Sequence, residues 1–392
     1  MGRKKKAFAV IIPALALASS ACQATPAAVT AGNVGGVRTY TADPSADPSA
    51  DPADPSADPS ADPTDDPTRD PTSEPTGGGG QGGGGGQNGG GGQNGGGQAT
   101  GPTPDQYVSI RRAPRVREPR RSRSGSRGVF SVSCGTNKGQ AHSNPDNVVA
   151  APGVVNGAHH IHDYVGNLDT DAFSTDETLA AAGTTCTNGD KSTYFWPVLR
   201  LRSGKDGSDR AGQSTQDGNV GSVVEPSKAR IQFLGNPRAR VTAMPRFIRM
   251  ATGDAKSATN GGANAHAQWT CTGSEDRAFT DKYPLCPRGS DVVRVLNFAS
   301  CWDGRNTDSA NHRDHIRFPD QRTGQCPSGT RAVPQLRMTL VYRVPAKALA
   351  FALDSFPEQG HNPVTDHGDF INVMTDRQMR RVVGAINSGR RH

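Results

Sequence analysis

Between residues 42 and 76, a proline follows an aspartate every three or four positions, in a run that begins ADPSADPSADP. Proline lacks a backbone N–H and has a fixed φ, so this spacing excludes helix and sheet, and the aspartates repel one another. Residues 77–100 are almost entirely Gly, Gln and Asn and offer no large apolar side chain for burial. These tracts predict an extended stalk followed by a flexible coil, so only the remaining residues can form a core.

The first 24 residues, MGRKKKAFAVIIPALALASSACQA, have the three parts of a secretory signal peptide. A basic start precedes an apolar run of about twelve residues, which is followed by small residues suited to cleavage. The apolar run is too short for a membrane-spanning helix. Cys22 follows SSA and is a candidate for lipidation, although Ser19 stands where such sites usually carry Leu. We expect an extracellular protein that is either secreted or anchored by a lipid on the outer face of the plasma membrane.

Eight arginines and one glutamate occur in RRAPRVREPRRSRSGSR, residues 111–127. Such a tract can bind an anionic polymer or lipid headgroups, but it is also typical of a solvated tail. The tract contains no aromatic residue, which argues against base stacking, and we expect no nucleic-acid partner. The composition therefore predicts a disordered linker over residues 25–127 and a single globular domain over residues 128–392.

Short β-type segments separated by Gly, Pro, Asn and Asp dominate the sequence of this domain. In QLRMTLVYRV, residues 335–344, apolar and polar side chains alternate as they do in a half-buried strand. One helix is indicated near the C-terminus, where Thr375 and Gln378 have the spacing of a capping box and precede an apolar stripe. The sequence predicts a mainly β fold, an antiparallel β-sandwich or jelly roll with long loops and one C-terminal helix.

Apart from Cys22, the chain has six cysteines, and an even number in an exported protein predicts three disulfides. Six cysteines allow many pairings. Closure of short loops favours the pairs Cys271–Cys286 and Cys301–Cys326, which leaves Cys134–Cys186. No CxxC pair occurs among these cysteines, so a zinc ribbon or a thioredoxin-like site is not expected.

Three of the ten histidines lie in HHIHDYVGN, residues 159–167. In an extended segment His160 and His162 point to the same face, so their imidazoles can bind one metal ion, hold a sugar hydroxyl or act as acid and base. Asp163 and Tyr164 follow and can orient an imidazole or donate a proton. Three alternatives stay open: a divalent transition metal at His160 and His162, a metal-free site, and a structural role in the loop.

A second cluster is SCWDGRNTDSANHRDHIRFP, residues 300–319. Asp303 supplies a carboxylate, and Trp302 offers a flat apolar face. His312 and His315 are three positions apart, which on a helical turn would place both imidazoles on one side.

A third cluster, DHGDF at residues 366–370, contains His367 and Asp369 just before the C-terminal helix. If the three segments converge, they form a polar pocket with an acid, a base and orienting carboxylates. The candidate catalytic residues are therefore His160, His162, Asp163, Asp303, His312, His315, His367 and Asp369. The candidate substrate-binding residues are Trp302, Tyr164, Asn167 and Asn306.

Four segments, HHIHDYVGN, FLGNPRARVTAMPRFIRMATGD, SCWDGRNTDSANHRDHIRFP and HGDFIN, resemble in this order the family catalogued as domain of unknown function 1996, over about residues 130–386. The family pattern HxHxxxGN falls on His160, His162, Gly166 and Asn167. The SCWDG pattern falls on Ser300 to Gly304, with Asn306, Asp308, His312 and His315, and the HGDF pattern falls on His367 to Phe370. The resemblance implies an extracellular domain directed at glycans and assigns no reaction. Some fungal relatives carry glycan-binding cell-wall modules where this chain carries the predicted stalk.

The sequence lacks GxSxG, HExxH and a Gly-rich phosphate loop, which disfavours serine hydrolases, zincin proteases and nucleotide enzymes. The leading hypothesis is a domain that acts on extracellular or cell-wall polysaccharide, as a hydrolase or a lyase, through a His/Asp-rich cleft. One alternative is a non-catalytic glycan-binding module in which Trp302 or Trp196 stacks against a sugar ring. Another alternative is an extracellular metal-binding protein.

Overall fold

The computed structural model describes residues 101–202 and 218–390, and most of this part of the chain is organised by antiparallel strands. Two large sheets have five strands each. In spatial order, sheet I contains β10 (Gln268–Cys271), β12 (Val292–Asn297), β16 (Gln335–Tyr342), β8 (Lys228–Leu234) and β2 (Val129–Val132). Sheet II contains β3 (Ser143–Asn144), β4 (His162–Gly166), β5 (Thr193–Pro197), β18 (His367–Ile371) and β9 (Arg249–Gly253).

Three smaller sheets and several helices complete the described structure. The sheets are the parallel pair β1 (Tyr107–Ser109) and β11 (Tyr283–Leu285), the antiparallel set β14 (Ile316–Arg317), β13 (Cys301–Trp302) and β15 (Arg331–Ala332), and the antiparallel set β17 (Phe351–Leu353), β6 (Leu199–Leu201) and β7 (Ser222–Val224). The α-helices are α1 (Asp176–Ala181) and α2 (Asp376–Asn387). Single 3₁₀ turns lie at Pro104–Gln106, Ile110–Arg112, Lys138–Gln140, Pro357–Gln359 and Pro363–Thr365.

The two large sheets pack against each other through apolar side chains. The ring of Phe370 in β18 lies 6.1 Å from the ring of Phe233 in β8. Gly368 allows a close approach at this interface, because a Cβ atom there would lie only 2.8 Å from Leu296 of β12. Since side chains alternate along a strand, β18 directs Gly368 and Phe370 toward sheet I and turns His367 and Asp369 to the other face of sheet II.

A fully buried arginine joins the same two sheets. Arg294 of β12 donates two hydrogen bonds to the carboxylate of Asp366, the residue that precedes β18. It also donates to the carbonyl oxygen of Pro197, at the end of β5, at 2.8 Å and to the hydroxyl of Tyr342 at 3.2 Å. Both charged side chains are inaccessible to solvent, so each depends on the other for its neutralisation.

The predicted C-terminal helix is confirmed, and its sequence accounts for both of its ends. Thr375 caps the first turn by accepting a hydrogen bond from the backbone N–H of Gln378, whose side chain bonds back to Thr375. Buried apolar residues at helical spacing hold one face of α2 against the core. The helix ends before Gly389, which has a positive φ of 76°.

The mainly β, antiparallel and disulfide-linked character of the fold is also confirmed. The three disulfides are Cys134–Cys186, Cys271–Cys286 and Cys301–Cys326, the pairs that closure of short loops favours. The sandwich or jelly-roll architecture stays a prediction. Within residues 101–202 and 218–390, no helix has both the length and the apolar character that crossing a bilayer requires.

The folded part of the chain begins before residue 128, which corrects the predicted linker at its C-terminal end. Tyr107, Ile110 and Ala113 are buried in the main core, and the ring of Tyr107 stacks on that of Tyr283 at 4.9 Å. Tyr107 and Ile110 lie just before the arginine-rich residues 111–127, and Ala113 lies within them, so a boundary drawn from average composition misses all three. The predicted signal peptide, stalk and glycine-rich coil lie outside the described residues.

We expect Arg294→Ala to lower the free energy of unfolding by about 3–5 kcal/mol, because it leaves the carboxylate of Asp366 buried without a counter-charge. Arg337→Ala is the matched control. Arg337 lies in the same sheet but is half-buried, and its ion pair with Glu118 is 3.9 Å long, so its loss should cost less than about 1.5 kcal/mol. Urea unfolding of the three proteins measures the difference, and equal losses would contradict the structural role of Arg294.

Candidate metal centre

Three histidines meet at one point on sheet II. His162 begins β4, and His160 lies in a bend two residues before it. His367 begins β18, which lies on the other side of β5. The Nε2 atom of His160 is 3.2 Å from Nε2 of His162 and 3.2 Å from Nε2 of His367. The Nε2 atoms of His162 and His367 are 3.3 Å apart. The three Nε2 atoms therefore form a nearly equilateral triangle, which we call the histidine triad.

Backbone carbonyls fix the tautomers of two rings in the histidine triad. Nδ1 of His162 lies 3.0 Å from the carbonyl oxygen of Asp146, and Nδ1 of His367 lies 2.8 Å from that of Thr365. A carbonyl oxygen only accepts, so each Nδ1 carries the proton, and each neutral ring presents an Nε2 lone pair. Two lone pairs facing each other at 3.3 Å repel one another unless a cation lies between them.

Burial keeps the imidazoles of the histidine triad in the neutral form. His160 and His162 are almost inaccessible to solvent, and His367 is 6% exposed. Burial, and after it the neighbouring rings, lowers the pKa of His160 and of His162 well below the ordinary value. Burial also lowers the pKa of His367. A proton is therefore a poor candidate for the cation that the facing lone pairs of His162 and His367 require, whereas neutral imidazole is the form that binds a metal ion.

The spacing of the three nitrogens suits a tetrahedral metal ion. Zinc lies about 2.0–2.1 Å from imidazole nitrogen, and tetrahedral angles then place two ligand nitrogens about 3.3 Å apart. The side chains of the triad occupy three corners of such a tetrahedron. Among the described residues, no cysteine, carboxylate or further histidine joins the group, so the fourth corner is left for water or another ligand.

Neighbouring residues hold the rings of the triad in place. The Asp146 carbonyl that accepts from His162 also accepts from the hydroxyl of Tyr164 at 2.8 Å. The Asp146 carboxylate accepts from the backbone N–H groups of Asn156 and Ala172, which fixes this segment over sheet II. Asp146 and Thr365 could not be identified from the sequence, because a role carried by a backbone carbonyl does not depend on side-chain type.

Nδ1 of His160 is buried and faces the backbone near Ala158 without reaching hydrogen-bond geometry. Its ring is oriented by edge contacts instead, since the centroid of Phe356 lies 5.4 Å away in a perpendicular arrangement. The ring of Phe195 contacts His162 in the same manner at 5.4 Å. Packing against aromatic rings therefore supplements the hydrogen bonds that orient the triad.

Two predicted carboxylates lie close to the triad in sequence but do not bond to it. Asp163 points to the opposite face of β4, where it accepts from Asn137 and Ser143, and burial raises its pKa to about 6. Asp369 shares a face of β18 with His367, and burial raises its pKa to about 7. Its hydrogen-bond partner is Asn147, at 3.3 Å.

The cluster at residues 300–319 supplies no ligand to the triad, but it lies beside the third segment. The positive charges of Arg313 and His312 act on Asp369, and Arg313 donates to the carbonyl of Gly253, the β9 residue that pairs with His367. Asp303 accepts from the backbone of the tight turn that follows it. Nδ1 of His312 bonds to Asp308 at 2.9 Å, and Nε2 of His315 donates to the carbonyl of Arg249 at 2.7 Å. Residues 312–315 do not form the helical turn that would place both imidazoles on one side, because His312 has a left-handed φ of 54°.

The predicted substrate-binding side chains mostly serve the fold. Tyr164 and Asn167 are buried and hydrogen-bonded within the fold, and their contact with substrate stays a prediction. Trp196 is also fully buried and cannot stack against a sugar. Trp302 is half-buried and donates its Nε1–H to the carbonyl of Asn306 at 2.7 Å, within the turn that Asp303 supports.

Replacing Asn167 tests its assignment to the fold. Its side-chain amide donates to the carbonyls of Leu179 and Lys191, at 2.9 and 2.8 Å, and both bonds disappear in Asn167→Ala. We expect a loss of about 2–4 kcal/mol in the free energy of unfolding, because buried acceptors are left unpaired. Asn306→Ala removes an exposed side chain from a surface turn and should cost less than about 1 kcal/mol. An unchanged free energy of unfolding for Asn167→Ala would return this residue to the candidate ligand contacts.

Comparison with known proteins gives one match. A family model described as "Domain of unknown function (DUF1996)" matches residues 146–373, a range that includes the whole histidine triad. No curated protein and no solved structure matches the chain. Because the family match covers more than half of the 392 residues, the chain belongs to the DUF1996 family.

Proposed function

We propose that this protein is an extracellular metal-binding protein that holds one divalent transition-metal ion, of the zinc type, at the histidine triad. The observation that carries the proposal is the triangle of Nε2 atoms, 3.2–3.3 Å apart. Two of the three nitrogens present lone pairs because carbonyls bind the opposite ring nitrogen. A structural role in the loop would not require three imidazole nitrogens, two of them acceptors, to face one another in a buried site.

The ligand set favours zinc over the hard divalent cations. Calcium and magnesium prefer oxygen ligands, whereas imidazole suits zinc, copper, nickel and iron. The tetrahedral spacing and the absence of a thioether or thiolate ligand among the described residues favour zinc within that group. Copper is the alternative ion, because it binds imidazole more tightly at a given site.

A catalytic use of the ion is the second candidate function, and the fourth ligand position favours it. Structural zinc sites are usually closed by four protein ligands, whereas catalytic sites keep one position for water or substrate. A zinc ion held in this way lowers the pKa of a bound water and supplies the nucleophile that a hydrolase needs. In that case the reaction would take place at the histidine triad rather than in the His/Asp-rich cleft that the sequence predicts.

Extracellular polysaccharide remains the proposed substrate class of such an enzyme. Three disulfides support an oxidising compartment for the folded domain. The glycan target itself is supported by the sequence resemblance, in which related domains accompany cell-wall-binding modules. A hydrolase would depend on the ion at the triad, whereas a glycan-binding module would retain its affinity after the ion is removed.

Metal analysis of the full chain tests the proposal. After the apoprotein is prepared with a chelator and dialysed against zinc, we expect about one zinc per chain. Zinc at a hundredfold excess over its Kd adds about 2.7 kcal/mol to the free energy of unfolding, which would raise Tm by about 5–10 °C. His367→Gln should lose both the bound zinc and the rise in Tm, because it removes one of three ligands.

His266→Gln is the matched control for His367→Gln. His266 lies outside the triad and packs its ring against Phe318 at 4.1 Å, so this variant should bind zinc like the original chain. Stoichiometric zinc in His367→Gln would overturn the assignment of the triad. The same conclusion follows if the original chain binds neither zinc nor copper while its near-ultraviolet circular dichroism shows a folded domain.

A further inference from the structure

The arginine-rich tract is held against the folded domain rather than extending from it as a free tail. The backbone N–H of Ser122 donates to the carbonyl of Pro237 at 2.8 Å, and Ser124 Oγ donates to the carbonyl of Arg238 at 2.9 Å. Gly125 is required at this contact, because a Cβ atom there would lie 2.3 Å from the carbonyl oxygen of Pro237. These contacts hold the backbone around Ser122, including the neighbouring arginines, against residues 237 and 238 of the domain.

A basic cavity of about 450 Å³ lies beside this attachment. Arg238, Arg240 and Arg331 line it, together with the hydroxyl-bearing residues Thr242 and Thr330. No carboxylate and no aromatic residue occurs among the described residues that line the cavity. The hydroxyls of Thr242 and Thr330 already donate to the carbonyls of Ala332 and Pro327, so the donors that the wall offers to a ligand are guanidinium groups.

The neighbouring arginines of the tract extend this basic region. We define the arginine surface as Arg120, Arg121, Arg123, Arg238, Arg240 and Arg331, all of which are exposed. Within the described part of the chain, none of these six arginines forms an ion pair. Three carboxylates lie near the surface, and each has another partner. Glu118 pairs with Arg337, and Asp320 bonds to Thr323. Asp303, beside the Gly304 that packs against Arg331, accepts from its own turn. The surface therefore has a large excess of positive charge.

We propose that the arginine surface binds an extracellular polysaccharide that carries carboxylate or sulfate groups. Planar guanidinium groups match the geometry of these anions and bind them through paired hydrogen bonds. Surfaces that bind single-stranded nucleic acid stack its bases on aromatic side chains. The cavity has no aromatic side chain among its described lining residues, which argues against that ligand. The site uses chain segments other than those of the histidine triad, so it does not depend on the metal proposal.

Binding of dextran sulfate to the full chain, with neutral dextran as the control, tests the charge requirement on one glucan backbone. We expect binding of dextran sulfate and of polygalacturonate, weakening as salt is added, and no binding of dextran. The variant Arg238→Gln/Arg240→Gln/Arg331→Gln should lower the affinity by about tenfold or more. The matched control, Lys138→Gln/Arg288→Gln/Lys347→Gln, removes three exposed charges elsewhere and should change the affinity less than about threefold.

Other outcomes would overturn the proposal. Equal losses in the two triple variants would show attraction by net charge alone. Tighter binding to a DNA duplex than to either polyanionic glycan at the same salt concentration would assign the surface to nucleic acid. The chain also carries its own acidic repeat at residues 42–76. If changing its aspartates to asparagine raised the affinity for dextran sulfate in the original chain but not in Arg238→Gln/Arg240→Gln/Arg331→Gln, the repeat would be the occupant of the surface.

Chelation of metal should leave the affinity for dextran sulfate unchanged, which separates this test from that of the triad.

Discussion

The buried ion pair between Arg294 and Asp366 is the contact on which the packing of the two large sheets and the position of His367 both depend. Arg294 belongs to sheet I, whereas Asp366 immediately precedes His367 at the edge of sheet II. Neither charged side chain can be exposed or lose its partner without a large cost, so the start of β18 is fixed relative to β12. Burial is the main cause of the low pKa of His162, and the positive charge of Arg294 lowers this pKa further, which helps to keep the triad neutral.

Local sequence patterns predicted the helices and strands that are determined by residues close together in the chain. The capping box at Thr375 and Gln378 predicted α2, and the alternation in residues 335–344 predicted β16. The i, i+2 spacing of His160 and His162 predicted that both rings face the same side of an extended segment, and their Nε2 atoms lie 3.2 Å apart. The disulfide pairing followed from loop closure, because two of the three bonds link cysteines only 15 and 25 positions apart.

Features that depend on contacts between distant segments were not predictable in this way. His367 joins His162 across 205 positions, and only the order β4-β5-β18 in sheet II brings the two together. The histidines of residues 300–319 had an equally suggestive pattern, yet His312 takes a left-handed conformation and pairs with Asp308. The composition of the arginine-rich tract predicted a disordered linker, but a few buried residues and serine hydrogen bonds are enough to attach the tract to the fold.

The three disulfides do not cross-link β4 and β18, the two strands that carry ligands of the histidine triad. They close segments of 52, 15 and 25 positions, and none of them links β4 to β18. A metal ion at the histidine triad would make that link, because its ligands come from both strands. A cross-link that closes a longer loop removes more entropy from the unfolded chain, and binding energy available only in the folded state adds directly to stability. The triad is therefore placed where one bound ion would cross-link two strands of sheet II through ligands that lie 205 positions apart in the chain.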